Sequence, residues 1–239
     1  MDNGWNRSAE AWLALIGEEG DFSRKHVLDA PMLKRVTQSG ARTVLDVGCG
    51  EGRFCRMMAE AGLAVMGIDP TAGLLEVARA RGGAQYVEGW AEALPFEAGT
   101  FGLVVFYLSL IDIKNLEAAV AQAARVLRPS GRILVGNLNA WITASQTKSD
   151  GWTRDEDGSA AMVIDRYLDD YPIDARWAGM DIVNWHRPLS RYMQVFLKAG
   201  LQLLHFDEPR SHGAPERRYD CAPYLYLMEW QKPGLGPTP

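Results

Sequence analysis

The stretch that decides the fold runs Thr43-Val44-Leu45-Asp46-Val47-Gly48-Cys49-Gly50-Glu51-Gly52-Arg53-Phe54. Its first five residues, apolar and β-branched around one carboxylate, predict a short buried strand. Three glycines follow at alternate positions, 48, 50 and 52. Glycine serves where backbone must turn sharply and approach a ligand with no Cβ in the way. Helical spacing resumes at once in Phe54, Met57, Met58, Ala61 and Leu63. Strand, glycine turn and helix in that order aim backbone N–H groups at a ligand beside the strand's carboxyl end. An acid two positions before the first glycine, and the spacing G-x-G-x-G, distinguish this turn from the dinucleotide fingerprint G-x-G-x-x-G.

The flanking sequence extends the pattern. Gly62 to Ile68 predicts a second strand, and Asp69 ends it 19 positions after Gly50 (69 − 50). A doubly wound fold places a carboxylate there to accept hydrogen bonds from a ribose diol. Strands are expected at 64–68, 85–87, 101–107 and 132–135, alternating with helices. One helix spans 53–62, the next has Pro70 at its first position and Gly82 at its end, and a third is capped by Asn115 and closed by Pro129 and Gly131. This regular alternation argues for a mostly parallel sheet in an α/β fold. Upstream, residues 8–19 predict a helix capped by Ser8 with Trp12, Leu15 and Ile16 on one face, and a second helical stretch runs to about Gln38. Residues 141–185 break the rhythm with Trp141, Trp152 and Trp177 and many acids, among them Asp150, Asp155, Glu156, Asp157, Asp165, Asp169, Asp170 and Asp174. Too aromatic for a linker, they predict an insertion over the ligand pocket, its acids mostly solvated. A helix opened by Pro188 and closed by Gly200, then strands at 201–206 and 224–230, complete the chain before a turn-rich tail from Pro233 that is expected to fray.

Four ordered segments resemble the motifs of class I S-adenosylmethionine-dependent methyltransferases: D-x-G-x-G-x-G at Asp46 to Gly52, Gly67-Ile68-Asp69, Gly89-Trp90-Ala91-Glu92-Ala93-Leu94-Pro95-Phe96, and Arg125-Val126-Leu127-Arg128-Pro129-Ser130-Gly131. The last matches that family's usual R-V-L-x-P-G-G, with Ser130 at one of its glycines. The resemblance covers roughly residues 40–140 and, more loosely, the C-terminal third. It implies a Rossmann-like, doubly wound, mostly parallel seven-stranded sheet. It also implies one domain over residues 1–239, with an N-terminal helical lid at 1–39 and a cap insertion at 141–185 after strand five. S-adenosylmethionine is the cofactor it implies. Asp46 and the Gly48–Cys49–Gly50 turn would hold the methionyl part, Asp69 the ribose hydroxyls, and Pro70, Ala91 and Glu92 the adenine. Trp90, where many relatives carry Asp, would form a hydrophobic wall, and Gly102 stands where the family usually has Asp in an F-D-x-V strand. Tyr107 leaves the fourth strand beside the expected sulfonium. Arg24 offers a fork of donors suited to the cofactor carboxylate.

For the acceptor side, His186 is a general-base candidate because His titrates near neutrality, with a satisfied structural His as the alternative. Asp112 is the other candidate, as base or substrate anchor, or else as a capping or surface carboxylate. The chain's 239 residues, 47% hydrophobic and 23% charged, suit one α/β domain with an insertion. A net charge of −5 weighs against nucleic acid, which needs a basic face. Three cysteines without C-x-x-C spacing imply no metal site and a reduced, cytoplasmic setting. Met1 to Trp5 lacks a signal-peptide pattern, and no run approaches the ~18 apolar residues of a membrane span. The function expected is S-adenosylmethionine-dependent methyl transfer to the oxygen or nitrogen of a small, partly apolar molecule, by a monomer or homodimer. The alternatives are a cofactor-binding protein without turnover and an NAD-type oxidoreductase.

Overall fold

Five apolar, β-branched-rich strands run parallel: β1 (Thr43–Val47), β2 (Ala64–Asp69), β3 (Gln85–Glu88), β4 (Phe101–Tyr107) and β5 (Leu127–Leu138). In the computed structural model, which describes residues 3–145, 153–154, 160–213 and 217–234, two more strands extend this sheet. They are β10 (Gln202–Asp207) and β11 (Leu225–Gln231), and the order is β10-β11-β5-β4-β1-β2-β3. β11 is antiparallel to both neighbours, so the seven-stranded sheet is mostly parallel, as expected. The chain leaves β1 towards β2 on one side and reaches β4 on the other. That divergence opens a crevice at the carboxyl ends of these strands.

Alternation along the strands feeds two cores. Leu103 and Val105 of β4 face helices α2 (Asp29–Gln38) and α3 (Arg53–Glu60), packing with Met32, Val36, Phe54 and Met58. Val104 and Phe106 face α5 (Leu116–Val126) and α7 (Leu189–Lys198), packing with Val120, Ala123, Val195 and Phe196. A third, smaller cluster joins α1 (Trp5–Ile16), α4 (Ala72–Arg81) and the hairpin of β8 (Tyr171–Trp177) and β9 (Met180–His186) through Trp12, Ile16, Leu74, Met180 and Ile182.

Several local expectations are corrected. Ser8 does not cap the first helix, which begins at Trp5 after Gly4. Buried instead in mid-helix, Ser8 accepts the Asp181 N–H at 3.0 Å and fastens α1 to the hairpin turn. The second helical stretch is broken into a π-helical turn, Arg24–Leu28, and α2. Pro70 stays outside its helix; Thr71 is the cap, and α4 starts at Ala72. β5 begins at Leu127, so α5 ends before Pro129 and Gly131. Pro188 is a cap residue, not the first helical one. The insertion contains the short helix α6 (Ala140–Thr143), the paired two-residue strands β6 (Thr153–Arg154) and β7 (Ala160–Ala161), and the β8–β9 hairpin; α8 (Arg217–Cys221) precedes β11. Trp152, Asp150, Asp155, Glu156, Asp157, the first two residues and the tail from 235 lie outside the described residues. Among the described residues no helix is long and apolar enough to cross a membrane.

Four residues other than glycine take left-handed backbone among the described residues, two of them Ala178 (φ 47), before Gly179 in the hairpin, and Ser130 (φ 62), inside β5. A side chain there costs about 1–2 kcal/mol in sterics, partly offset by glycine's extra chain entropy. Ala178→Gly and Ser130→Gly should therefore each stabilise the protein by about 0.5–1 kcal/mol. Thermal unfolding should show midpoints higher by about 1–4 °C.

Candidate functional site

The glycine turn after β1 is built by close packing. A Cβ on Gly48 (φ 77) would stand 2.4 Å from the Ser109 Cβ, and one on Gly52 (φ 76) 2.4 Å from the Tyr86 hydroxyl. Ser109 is itself fixed, its hydroxyl donating to the Val47 carbonyl at 2.6 Å. Gly50 (φ 55) differs: a Cβ there would meet only Leu74 Cδ1, at 3.9 Å, so its α-face is open. The Gly50 N–H donates to Asp69 Oδ2 at 2.9 Å, and the Thr71 N–H donates to Asp69 Oδ1 at 2.8 Å. Asp69 thereby ties the turns after β1 and β2 together, while burial raises its pKa.

Asp46 is 1% exposed at the end of β1. Its Oδ2 accepts a thiol hydrogen bond from Cys55 at 3.3 Å, and its Oδ1 is buried with no partner among the described residues. Burial pushes this carboxyl up to about 7, against the pull of the Cys55 bond and with the Asp69 and Glu51 charges adding to the rise.

These groups face one cavity of about 910 Å³. All eleven residues expected at the cofactor site line it: Arg24, Asp46, Gly48, Cys49, Gly50, Asp69, Pro70, Trp90, Ala91, Glu92 and Tyr107. Arg24 lies over the Trp12 ring at 4.8 Å and donates from Nη1 to Asp21 Oδ2 at 2.7 Å. Tyr107 stacks on Phe54 at 4.5 Å, and its hydroxyl donates to Asp29 Oδ1 at 2.6 Å. Asp29 also receives the guanidinium fork of Arg53. Trp90 is 44% exposed, a wall at the rim, and Glu92 accepts the Asn115 N–H at 3.4 Å.

The cavity continues past the end of β4 to Trp5, Asp112, Lys114 and Trp185. Leu108 turns the chain there with φ 57, its N–H donating to the Gly136 carbonyl at 2.7 Å. Such backbone strain is typical of ligand sites. Asn184 donates from Nδ2 to Asp112 Oδ1 at 2.6 Å. Burial pushes Asp112 up to about 7, opposed by the hydrogen bond from the Trp5 side chain. Spacing gave no pointer to Trp5, Asn184 or Glu51; Trp185 stood in the sequence beside His186 with no periodicity to single it out.

His186 is not part of this site. It does not line the cavity, and it is 0% exposed. Its Nε2 lies 3.0 Å from the Tyr167 carbonyl and its Nδ1 2.7 Å from the Thr143 hydroxyl. A carbonyl only accepts, so Nε2 carries the hydrogen and the neutral Nδ1 accepts from Thr143. Burial lowers its pKa and keeps the ring neutral. The ring packs 4.8 Å from Tyr171, a core role that the sequence spacing could not separate from an inward-facing one. His186→Ala should therefore act on stability, costing about 2–4 kcal/mol for a lost buried ring and two hydrogen bonds, read as a lower thermal midpoint.

Residues 45–135 match a family model described as a methyltransferase domain. A demethylmenaquinone methyltransferase of Tropheryma whipplei is 34% identical over 105 residues, 43% of this chain and 44% of that protein. The malonyl-[acyl-carrier protein] O-methyltransferase of Serratia marcescens is 37% identical over 110 residues, 46% of this chain and 42% of that protein. The matched stretch thus spans less than half the length of each of these relatives. An S-adenosylmethionine dependent methyltransferase from Mesorhizobium loti superposes with a TM-score of 0.75 over 90% of this chain and 100% of that one, at 24% identity, which is a likeness of fold. S-adenosylmethionine is this family's cofactor, and the NAD-type alternative is set aside. The glycine turn, the acid that closes it and the sheet order all agree with these matches: residues 45–135 are similar to a methyltransferase domain, and the fold is that of S-adenosylmethionine-dependent methyltransferases of known structure.

Proposed function

We propose that this chain transfers a methyl group from S-adenosylmethionine to an oxygen or nitrogen of a small, partly apolar acceptor. The observation that supports it is the continuity of one cavity from the glycine turn to the Trp5–Asp112–Trp185 end, which gives donor and acceptor a common space. The donor end fits its ligand chemically. Asp46 Oδ1 is a buried acceptor in want of a cationic partner, the α-face of Gly50 is open, and each Asp69 oxygen, holding one backbone N–H, keeps a lone pair for a ribose hydroxyl.

When bound, S-adenosylmethionine supplies a methyl carbon already activated by a positively charged sulfur. The chain's part is to align, exclude water and take a proton. Asp46 with Gly48, Cys49 and Gly50 would hold the methionyl end, Asp69 the ribose, and Pro70, Trp90, Ala91 and Glu92 the adenine. Arg24 and Tyr107 would line the methionyl side. Residues 1–39 would serve as a lid and the 141–185 insertion as a cap within a single domain, since Trp5, Trp12 and Trp185 reach the cavity from those segments. Trp5 and Trp185 offer flat apolar contact that suits a ring or conjugated acceptor better than a polyanion. Asp112, oriented by Asn184, would accept the proton from an acceptor O–H or N–H. A reducing, cytoplasmic setting suits the free thiols of Cys49 and Cys55.

Incubation with methyl-labelled S-adenosylmethionine and a panel of phenols, carboxylic acids and amines should yield labelled product with stoichiometric S-adenosylhomocysteine. Donor binding without label transfer to any acceptor class would favour the alternative of a binding protein without turnover. Asp69→Ala should weaken the donor tenfold or more, since hydrogen bonds to a charged acceptor are worth about 1.5–3 kcal/mol each. Turnover of the unmodified protein should rise with pH through about 7, as Asp112 loses its proton and becomes competent to accept another, then level off. Asp112→Asn should abolish that rise and lower turnover about 10²–10⁴-fold with donor affinity unchanged.

A further inference from the structure

Arg187 follows β9 directly and is 4% exposed, yet no salt bridge joins it to a carboxylate among the described residues. A buried charge without an opposite partner costs free energy unless hydrogen bonds satisfy it. Backbone carbonyls do so here. Nη1 donates to the Leu110 carbonyl at 3.3 Å, and Nη2 to those of Ile113 at 2.6 Å and Lys114 at 2.9 Å. The Trp185 N–H donates to the Ile111 carbonyl at 2.7 Å, and the guanidinium lies 5.4 Å from the Trp185 ring centre. All four carbonyls belong to the loop after β4, which has Asp112 in its middle. The Asp112 N–H turns back to the Ser109 carbonyl at 3.0 Å, and Ser109 is tied separately to the Val47 carbonyl. Arg187 itself does not line the cavity.

We propose that Arg187 is a positioning residue: by gripping the carbonyls on both sides of Asp112, it holds that carboxyl against Asn184 and Trp5 at one end of the cavity. This rests on the reading of Asp112 as the group that takes the acceptor's proton. A planar fork of donors can span several carbonyls, where the point charge of a lysine cannot. Around the Asp112 carboxyl stand the Trp5 side chain of α1, Asn184 of β9, Asp69 at the end of β2 and Arg24 of the π-helical turn, and Lys114 and Glu117 line the same cavity. Among the influences on its ionisation, removal from water is the largest and raises its pKa. Freeing the loop therefore lowers the pH at which Asp112 titrates, whereas deleting a neighbouring positive charge and nothing else would raise it. The two roles open to Arg187 differ in sign.

The test is a carbon-13 NMR titration of the aspartate carboxyls, with the Asp112 signal assigned by its absence from Asp112→Asn. It compares the unmodified protein with Arg187→Met and with Arg187→Lys, which keeps the charge but not the fork. Both variants should titrate Asp112 at lower pH than the unmodified protein, Arg187→Lys by the smaller amount. If Arg187→Met does not fold, Arg187→Lys carries the same sign. Calorimetric affinity for S-adenosylmethionine should stay within about twofold, because the glycine turn is anchored through Ser109 and shares no partner with Arg187. With whichever phenol, carboxylic acid or amine the unmodified protein methylates, kcat should fall on the order of tenfold to a hundredfold while the donor KM holds. An upward movement in Arg187→Met with none in Arg187→Lys would overturn the proposal in favour of a charge effect. Unchanged titration in both variants, with only a lower thermal midpoint, would overturn it in favour of a purely structural arginine. Undiminished label transfer by Asp112→Asn would instead overturn the reading on which it rests.

Discussion

The Asp69 carboxylate is the interaction on which the glycine-turn end of the cavity depends. It is buried at the end of β2 and accepts N–H groups from Gly50 and Thr71, one in the turn after β1 and one in the turn after β2. Those two turns lie on the same side of the sheet's switch point, and a single anion clamps them. The clamp permits the left-handed backbone of Gly48, Gly50 and Gly52, two of which are wedged against Ser109 and Tyr86. Burying Asp46, Glu51 and Asp69 so close together costs stability. The pKa of Asp46 rises to about 7 as a result.

The other end of the cavity, at Trp5, Asp112 and Trp185, is held differently. Its walls come from α1 and the β8–β9 hairpin, far from the motifs in sequence. The cluster that fixes them, Ala9, Trp12, Ile16, Leu74, Met180 and Ile182, is small beside the two cores flanking the sheet. Polar bonds supply the rest. The Trp185 N–H donates to the Ile111 carbonyl at 2.7 Å, and Arg187 gathers the Leu110, Ile113 and Lys114 carbonyls. The end of β9 thus grips the loop after β4, the loop that carries Asp112.

The sheet, and the gathering of Asp46, the glycines and Asp69 at one end of a cavity, were legible in the sequence for a physical reason. Asp46, the glycines and Asp69 act through backbone geometry that spacing encodes directly, and the β4 alternation follows from a doubly covered strand. Where partners are distant, legibility ended. Ser8 looks like a cap until the Asp181 backbone is seen beside it. His186 has the chemistry of a base, but Thr143 and Tyr167, 43 and 19 positions away, hold both its nitrogens. Pro70 reads as a first helical residue, yet the Asp69–Thr71 bond starts the helix later. Ser130 stands where the resembled pattern has a glycine, and its backbone is left-handed (φ 62), a conformation the residue type alone does not announce.

The central claim is that the cavity is matched to the charge and shape of S-adenosylmethionine. Isothermal titration of the purified chain with S-adenosylmethionine and, separately, with NAD⁺ and NADH tests it most directly. The account predicts one saturable site for S-adenosylmethionine, with negligible heat from either nicotinamide nucleotide. Tighter binding of NAD⁺ or NADH than of S-adenosylmethionine would contradict it.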